Sequence, residues 1–296
     1  MPSPRLLFGA CSSGLGDRLL SLAGCQRIAE LTKREFALYW RVSDRCGCPF
    51  ERLFDTVIPQ VTEADLHRLL FTNNAVKVYN AWLDRPGPVY NRVAADGDPS
   101  TEIVVIKSWN YPALDNDCDG SNLHAELRTH LLRLRPVPEI QQMIDGFDLP
   151  DQAIGVHVRR GDAVERFGVS REEHFAALMN AVLAREPLRR FFLATDVSAV
   201  EQRFVDQFGD RIVTFPKCGG GRTAERGMVE SLVDLLLLSR TQSILGNQHS
   251  AFSRLAALWG NRRLVLAGEE SATTHLDRSV ACLLGAKPER NESPDG

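Results

Sequence analysis

The stretch RLLFGACSSGLGDRLLSLAGCQRIAELTKREFALYWR, residues 5–41, decides the fold class. An apolar run at 5–10 predicts a buried strand, and the serine- and glycine-rich residues 11–17 predict a loop. Apolar residues then recur at helical spacing over 18–33, and a second apolar run at 36–41 predicts the next strand. A strand, loop, helix and strand in this order form a right-handed unit with parallel strands.

The second half of the chain repeats this alternation. Apolar runs predict strands at 153–158, 190–194, 211–215, 243–246 and 263–267. Periodic segments between them predict helices at 171–185, 198–208, 225–241 and 250–259. Such alternation is typical of a doubly wound sheet, in which ligands bind outside the carboxyl ends of the strands.

Length and composition indicate two globular domains. The chain has 296 residues, of which 44% are hydrophobic and 25% charged, too many residues for one small core. We predict an α/β protein of two Rossmann-like domains facing a cleft. The domains are predicted at 1–150 and 151–286, separated at the linker-like DLPDQ sequence, with a disordered tail at 287–296.

Charge and hydropathy exclude several classes of protein. The net charge of -3 argues against binding to nucleic acid. No apolar stretch approaches the length of about 20 residues that crosses a bilayer, and the first residues lack the pattern of a secretion signal. The seven cysteines are scattered, without paired zinc-site spacing. We therefore expect a cytoplasmic protein with reduced thiols, no membrane span and no metal.

The motif GVHVRRGD, residues 155–162, carries the clearest chemical signal. Its strand brings His157, Arg159, Arg160 and Asp162 to the edge where ligands bind. Consecutive arginines of a strand point to opposite faces, so we expect them to have different roles. The planar guanidinium of one can bind a diphosphate through two hydrogen bonds. The alternative is that both arginines pair with surface acids.

Three later segments add polar groups to the same edge. Ser250 opens a predicted helix, whose free N–H groups attract phosphate, although capping without a ligand is equally compatible. His249 directly precedes it. Asp234 lies in the apolar run ESLVDLLLLS, where it is either a solvated position of the helix or a buried carboxylate that needs a partner such as an arginine or a guanine base. Asp196 ends the segment FLATD.

These motifs, in this order, resemble the α1,6- and protein O-fucosyltransferase superfamily, with the bacterial nodulation fucosyltransferases closest in size. HVRRGD, LATD and the pattern D-x4-S followed by S-x3-R resemble its three C-terminal motifs, and SSGLGDRLLSLAG resembles its glycine-rich loop. The resemblance implies a GT-B-like architecture. The N-terminal domain would then form the acceptor side of the site, and the C-terminal domain would bind the nucleotide sugar.

The resemblance also implies a reaction, inverting transfer of L-fucose from GDP-fucose to the hydroxyl of a glycan or glycoconjugate without a cofactor. Arg159 would bind the β-phosphate and stabilise the leaving diphosphate, while Arg160 would hold the loop or assist that group. Other residues that it places in the donor pocket are His157, Asp162, Ser250 and, at the nucleoside end, Asp196 and Asp234.

A general base for the acceptor hydroxyl must be a carboxylate or histidine nearby. Two residues qualify, Asp17 in the SGLGD loop and Glu165 after the main motif, and Asp17 is slightly preferred. Gly14 and Gly16 of the same loop let the backbone approach a ligand or the other domain. The choice between the two carboxylates stays open at this point.

Three alternatives remain. The donor could be GDP-mannose or a heptose nucleotide, and the chain could be a binding module without activity. The third is a calcium-binding protein, because DNDCDGSNLHAE fits the calcium-loop pattern with Asp115, Asp117, Asp119 and Glu126. Its preceding segment predicts a strand rather than the entering helix, so a solvated acidic loop is the preferred interpretation.

Overall fold

The computed structural model describes residues 5–72, 76–80, 91–93, 101–108, 110–114, 117, 120–161 and 170–285. The chain divides into two compact units. The N-terminal unit comprises Met1–Met143 and Lys217–Leu232, and the C-terminal unit comprises Ile144–Pro216 and Val233–Gly296. A short later segment thus groups with the N-terminal unit. The domain limits at 150 and 286 stay a prediction.

The N-terminal unit is built on a parallel sheet of four strands in the order β2-β1-β5-β3. These are β1 (Leu6–Cys11), β2 (Glu35–Trp40), β3 (Val76–Asn80) and β5 (Ile103–Ser108), while β4 (Asn91–Val93) pairs with β6 (Pro112–Leu114). The helices of this part of the chain are α1 (Leu15–Leu31), α2 (Glu63–Thr72), α3 (Gly120–Leu132) and α4 (Pro138–Asp145).

Helix α1 is buried on nearly every side because it packs between the sheet and α3. Cys25, Ile28 and Ala29 of α1 join Leu7 of β1 and Val104 of β5 in one apolar cluster. Buried residues therefore occur on several faces of α1, and they include the polar side chains of Arg18, Ser21 and Arg27.

The C-terminal unit contains a five-stranded parallel sheet in the order β11-β10-β7-β8-β9. Its strands are β7 (Ile154–Val158), β8 (Phe191–Thr195), β9 (Ile212–Val213), β10 (Ser243–Asn247) and β11 (Arg263–Ala267). Its helices are α5 (Glu172–Arg185), α6 (Ser198–Phe208), α8 (Ala251–Gly260), α9 (Glu269–Ala272) and α10 (Leu276–Leu283), and α7 (Glu225–Arg240) enters it from Val233 on. All residues of the central strand β7 are buried.

The structure confirms the α/β class, and most predicted elements lie within one to three residues of their predicted limits. Strand β9 is the main difference, since only Ile212–Val213 pair with β8. The sequence also predicts β5, α3 and α4, at 102–106, 121–133 and 138–147, whereas helices α2, α9 and α10 and strands β3, β4 and β6 were not predicted. In the part of the chain that the structure describes, no helix is long and apolar enough to span a membrane. The described cysteines, all except Cys118, are free thiols.

We predict that Gly24→Ala destabilises the protein, although alanine gains about 1 kcal/mol of helix propensity. The new Cβ would lie 2.5 Å from Cδ of Pro112 and 2.9 Å from its backbone nitrogen and oxygen. Since these atoms belong to strand β6, we expect a net loss of about 1–2 kcal/mol.

Thermal and denaturant unfolding measure this loss. The matched control is Gly14→Ala directly before α1, because a Cβ added at Gly14 would meet no atom within 4 Å. An equal stability for the two variants would contradict the prediction.

Candidate functional site

The loop that follows β7 is held by both neighbouring strands. The amide of Arg159 donates to Oδ1 of Asn247, the last residue of β10, over 2.8 Å. The amides of Arg160 and Gly161 donate to the two carboxylate oxygens of Asp196, directly after β8, over 2.9 and 3.1 Å. Three successive amides are therefore accepted by side chains, which fixes the backbone from which the Arg159 side chain extends.

The guanidinium of Arg160 is engaged inside the protein. It donates to the carbonyl of Arg159 over 2.9 Å and to the carbonyl of Ser170 over 2.6 Å. Its Nε lies 3.5 Å from a carboxylate oxygen of Glu172. These contacts make Arg160 a link between the loop after β7 and the start of α5.

Glu172 is itself held by a second arginine. Arg203 donates to both of its carboxylate oxygens over 2.8 and 2.9 Å. The hydrogen bond from Arg203 lowers the pKa of Glu172, and the charge of Arg160 acts in the same direction. The carboxylate is thus ionised at neutral pH and offers Arg160 a permanent negative partner.

The start of α8 provides a second group for an anion at this edge. Ser250 precedes the helix with an extended backbone, and its side chain makes no capping hydrogen bond. Its Oγ is buried and has no hydrogen-bond partner among the described residues. A helix start presents unbonded N–H groups and a partial positive charge. The hydroxyl and the helix start can therefore bind a phosphate oxygen together.

His157 and His249 lie beside this helix start. The ring of His157, which is 6% exposed, stacks on Phe252 with 4.8 Å between ring centroids. His249 is exposed and adopts a left-handed backbone with φ of 59°. The structure thus brings one predicted histidine onto the first turn of α8 and the other into the loop before it.

Asp234 lies on α7 at the level of the carboxyl end of the sheet. Leu238 of the same helix contacts β7, because a Cβ on Gly155 would come within 2.8 Å of the Leu238 side chain. Asp234 precedes Leu238 by one turn, about 6 Å, on the same face. Because a crossover helix runs antiparallel to the strands, Asp234 lies one turn nearer the carboxyl ends of the strands than Leu238 does. The Asp234 residue is 5% exposed.

In the N-terminal unit, Asp17 lies in the first turn of α1, after the loop that follows β1. The hydroxyl of Ser13, a residue with φ of 73°, donates to its carboxylate over 3.0 Å. Gly14 directly precedes the helix, and Gly16 is buried in its first turn. The Asp17 carboxylate is half-buried and oriented by Ser13.

The loop between β1 and α1, directly before Asp17, is held by Arg18, which is 2% exposed. Its guanidinium donates to the carbonyls of Ser13 and Arg41 and to the hydroxyl of Ser43 over 2.8, 2.6 and 3.1 Å. The guanidinium also lies over the ring of Trp40. Burial lowers the pKa of Arg18, but arginine retains its charge at neutral pH.

Several predicted residues lie outside the described part of the chain, namely Asp162, Glu165, Asp115 and Asp119. Two members of the calcium pattern are described, and both pair with an arginine. Arg27 binds both oxygens of Asp117 over 2.7 and 2.8 Å and also binds Glu126. Within the described ranges, no cluster of histidine, cysteine and acidic residues is arranged to hold a metal ion.

Asn247 and Ser170 are parts of this edge that the sequence reasoning missed. Asn247 is the last residue of β10, 2% exposed, and Ser170 is wholly buried before α5. The rule that strand ends meet at one edge, applied to the final residue of β10, would have found Asn247. No pattern in the sequence marks Ser170.

Two curated relatives are similar to this chain over most of its length. No family model matches the chain. Nodulation protein Z of Azorhizobium caulinodans is 27% identical over an alignment that covers 87% of this chain and 90% of the relative. Nodulation protein Z of Bradyrhizobium diazoefficiens is 25% identical, with coverage of 87% and 80%.

Solved structures give the same result for the fold. The structure of the NodZ α-1,6-fucosyltransferase soaked with GDP-fucose matches with a TM-score of 0.58 at 23% identity, over 87% of this chain and 93% of that one. A mutant of Arabidopsis thaliana FUT1 in complex with GDP matches with a TM-score of 0.63 at 16% identity, over 92% and 72%. These matches confirm the GT-B-like α/β fold, and the chain is homologous to nodulation protein Z.

Proposed function

We propose that this protein is a fucosyltransferase that transfers L-fucose from GDP-fucose to a carbohydrate hydroxyl with inversion. The observation that carries the proposal is the hydrogen bond from the Arg159 amide to Asn247, three residues before the buried hydroxyl of Ser250 at the start of α8. The names of the relatives support the choice of donor, because nodulation protein Z is described as a fucosyltransferase in a structure soaked with GDP-fucose.

Arg159 is the proposed partner of the leaving diphosphate. Cleavage of the bond between fucose and phosphate leaves additional negative charge on the diphosphate, and a positive group already aimed at that position stabilises the transition state. The backbone of Arg159 is held by Asn247, so little reorganisation is needed when the charge develops. Arginine and the start of α8 supply this positive charge, so we propose transfer without a metal ion.

The remaining residues of the C-terminal unit take supporting roles in this proposal. Asp234 recognises the guanine, whose N–H groups are suitable donors to a carboxylate, and His157 lies in the donor pocket. Asp196 and Arg160 hold the loop rather than the nucleoside or leaving group, since their polar atoms bond within the protein. The role of Asp162 in the donor pocket stays a prediction, because this residue lies outside the described part of the chain. The cytoplasmic location of the protein also stays a prediction.

Asp17 is the proposed base for the acceptor hydroxyl. Ser13 holds its carboxylate in one orientation, which favours proton transfer over a defined path. Glu165 lies outside the described residues, and it stays the alternative base. The acceptor itself is proposed only as a glycan or glycoconjugate.

The first test is nucleotide selectivity. GDP and GDP-fucose are expected to raise the melting temperature of the protein, whereas UDP and ADP should give little shift. When mixed glycan acceptors are added in the presence of EDTA, the protein should release GDP from GDP-fucose. Asp234→Ala should lower the affinity for GDP about 10- to 100-fold, since hydrogen bonds to charged groups contribute about 1.5–3 kcal/mol.

Asp151→Ala, at an exposed turn, is the matched control and should bind GDP like the wild type. Stabilisation by UDP or ADP but not GDP would refute the assignment. A preference for GDP-mannose would replace the donor sugar, binding without turnover would indicate a binding module, and activity lost in EDTA would refute the metal-free mechanism.

The second test addresses Arg159. Lysine keeps the charge but loses the planar fork, so Arg159→Lys should lower kcat about 10²–10³-fold and change donor affinity less. The measurement is steady-state kinetics with GDP-fucose. Arg263→Lys is the control, because Arg263 is the first residue of β11 and therefore lies at the amino ends of the strands, away from the ligand edge. Wild-type kcat in Arg159→Lys would show that the motif is structural.

The third test separates the two carboxylates. Asp17→Asn should lower kcat about 10²–10⁴-fold while GDP binding stays near the wild-type value, because a base acts on the acceptor alone. Glu165→Gln is measured in parallel by the same kinetics and GDP titration. A large loss in Glu165→Gln with near-normal Asp17→Asn would assign the base to Glu165.

A further inference from the structure

Ser170 connects the ends of three adjacent strands in the C-terminal unit. Its hydroxyl donates to the carbonyl of Ala267, the last residue of β11, over 2.6 Å. The same hydroxyl accepts from the amide of Gln248, directly after β10, over 2.8 Å. Its carbonyl accepts from Arg160, in the loop after β7, over 2.6 Å. One wholly buried residue therefore bonds to the end of β11 and to the loops that follow β10 and β7.

The bond to Gln248 matters because of the residues on either side of it. Asn247 accepts the amide of Arg159, while His249 and Ser250 lead into the start of α8. Gln248 is thus the middle of a short segment that carries both ends of the proposed diphosphate site. Fixing its amide fixes the distance between the loop of Arg159 and the first turn of α8.

We infer that Ser170 is a positioning residue for the transfer reaction, an inference that rests on the proposed function. It does not contact the substrate. It holds the loop after β10 and, through Arg160, the loop after β7, so that the Arg159 guanidinium and the helix start meet the diphosphate in one arrangement. Loss of this arrangement affects the transition state most, because charge on the diphosphate is greatest there.

Ser243 offers a matched control within the same sheet. It is also wholly buried, and its hydroxyl donates to the carbonyl of Leu283 over 2.6 Å. It is the first residue of β10, so it lies at the opposite end of that strand from Asn247. Ser243→Ala removes a comparable buried hydrogen bond without touching the ligand edge.

The kinetic experiment compares Ser170→Ala, Ser170→Cys and Ser243→Ala with the wild type. Ser170→Ala should lower kcat about 10- to 100-fold, the cost of a displacement near 1 Å, with the KM for GDP-fucose within about threefold. Ser170→Cys keeps much of the volume and a weak donor, so its kcat should be intermediate. Ser243→Ala should keep kcat within about twofold, because distant sites act independently.

Hydrogen exchange of the ligand-free protein gives a readout that does not require activity. The amide of Gln248 should exchange at least about tenfold faster in Ser170→Ala than in the wild type, since its acceptor is lost. Ser243→Ala should leave that amide unchanged. If the wild type fails to use GDP-fucose, the proposed function fails, and the exchange result alone then decides whether Ser170 holds the loop.

Equal kcat values in Ser170→Ala and Ser243→Ala, with equal losses of melting temperature, would overturn the inference and leave Ser170 a stability residue. A raised KM with unchanged kcat would also overturn it. If Ser170→Ala does not fold, the kinetic and the hydrogen-exchange measurements are made on Ser170→Cys instead. A wild-type kcat and a wild-type exchange rate of the Gln248 amide in Ser170→Cys would together refute the positioning role.

Discussion

The three amide hydrogen bonds of the loop after β7 are the constraint on which the C-terminal unit depends. Strand β7 is central in the sheet, with β10 on one side and β8 on the other. Asn247 and Asp196 extend from these neighbours and accept the amides of Arg159, Arg160 and Gly161. The parallel sheet therefore does more than bring loops to one edge. It supplies the acceptors that hold the backbone of Arg159, Arg160 and Gly161 at the start of the loop.

Adjacent arginines in this loop take different roles because their surroundings differ. Arg160 donates to two carbonyls and lies near the ionised Glu172. A guanidinium with that many partners inside the protein stabilises the loop. In the N-terminal unit, Arg18 is used in the same way, bonding to two carbonyls and a hydroxyl around the loop after β1. Each unit thus uses an arginine as a multivalent donor to otherwise irregular backbone.

The sequence predicted the strands and long helices well, because apolar periodicity reports burial directly. The end of the predicted strand also indicates where Arg159 and Arg160 lie, and the structure places both directly after β7. The sequence did not predict that Asp196 bonds to backbone amides, because a carboxylate at a strand end has the same sequence signal whether it binds a ligand or a loop. Ser170 was missed for a related reason. Its partners, Ala267 and Gln248, lie about 80 to 100 positions further along the chain, and a single sequence does not reveal such pairings.

The pairing of Arg27 with Asp117 and Glu126 has a consequence for how the protein responds to its ionic surroundings. Acidic side chains that converge in a protein repel one another unless a counter-ion is present. Here the counter-ion is covalently part of α1, and its side chain is largely shielded from water. It therefore cannot be diluted, exchanged or removed by a chelator. The positive charge that holds Asp117 and Glu126 of α3 beside α1 thus comes from the chain itself, and this contact does not require a divalent cation.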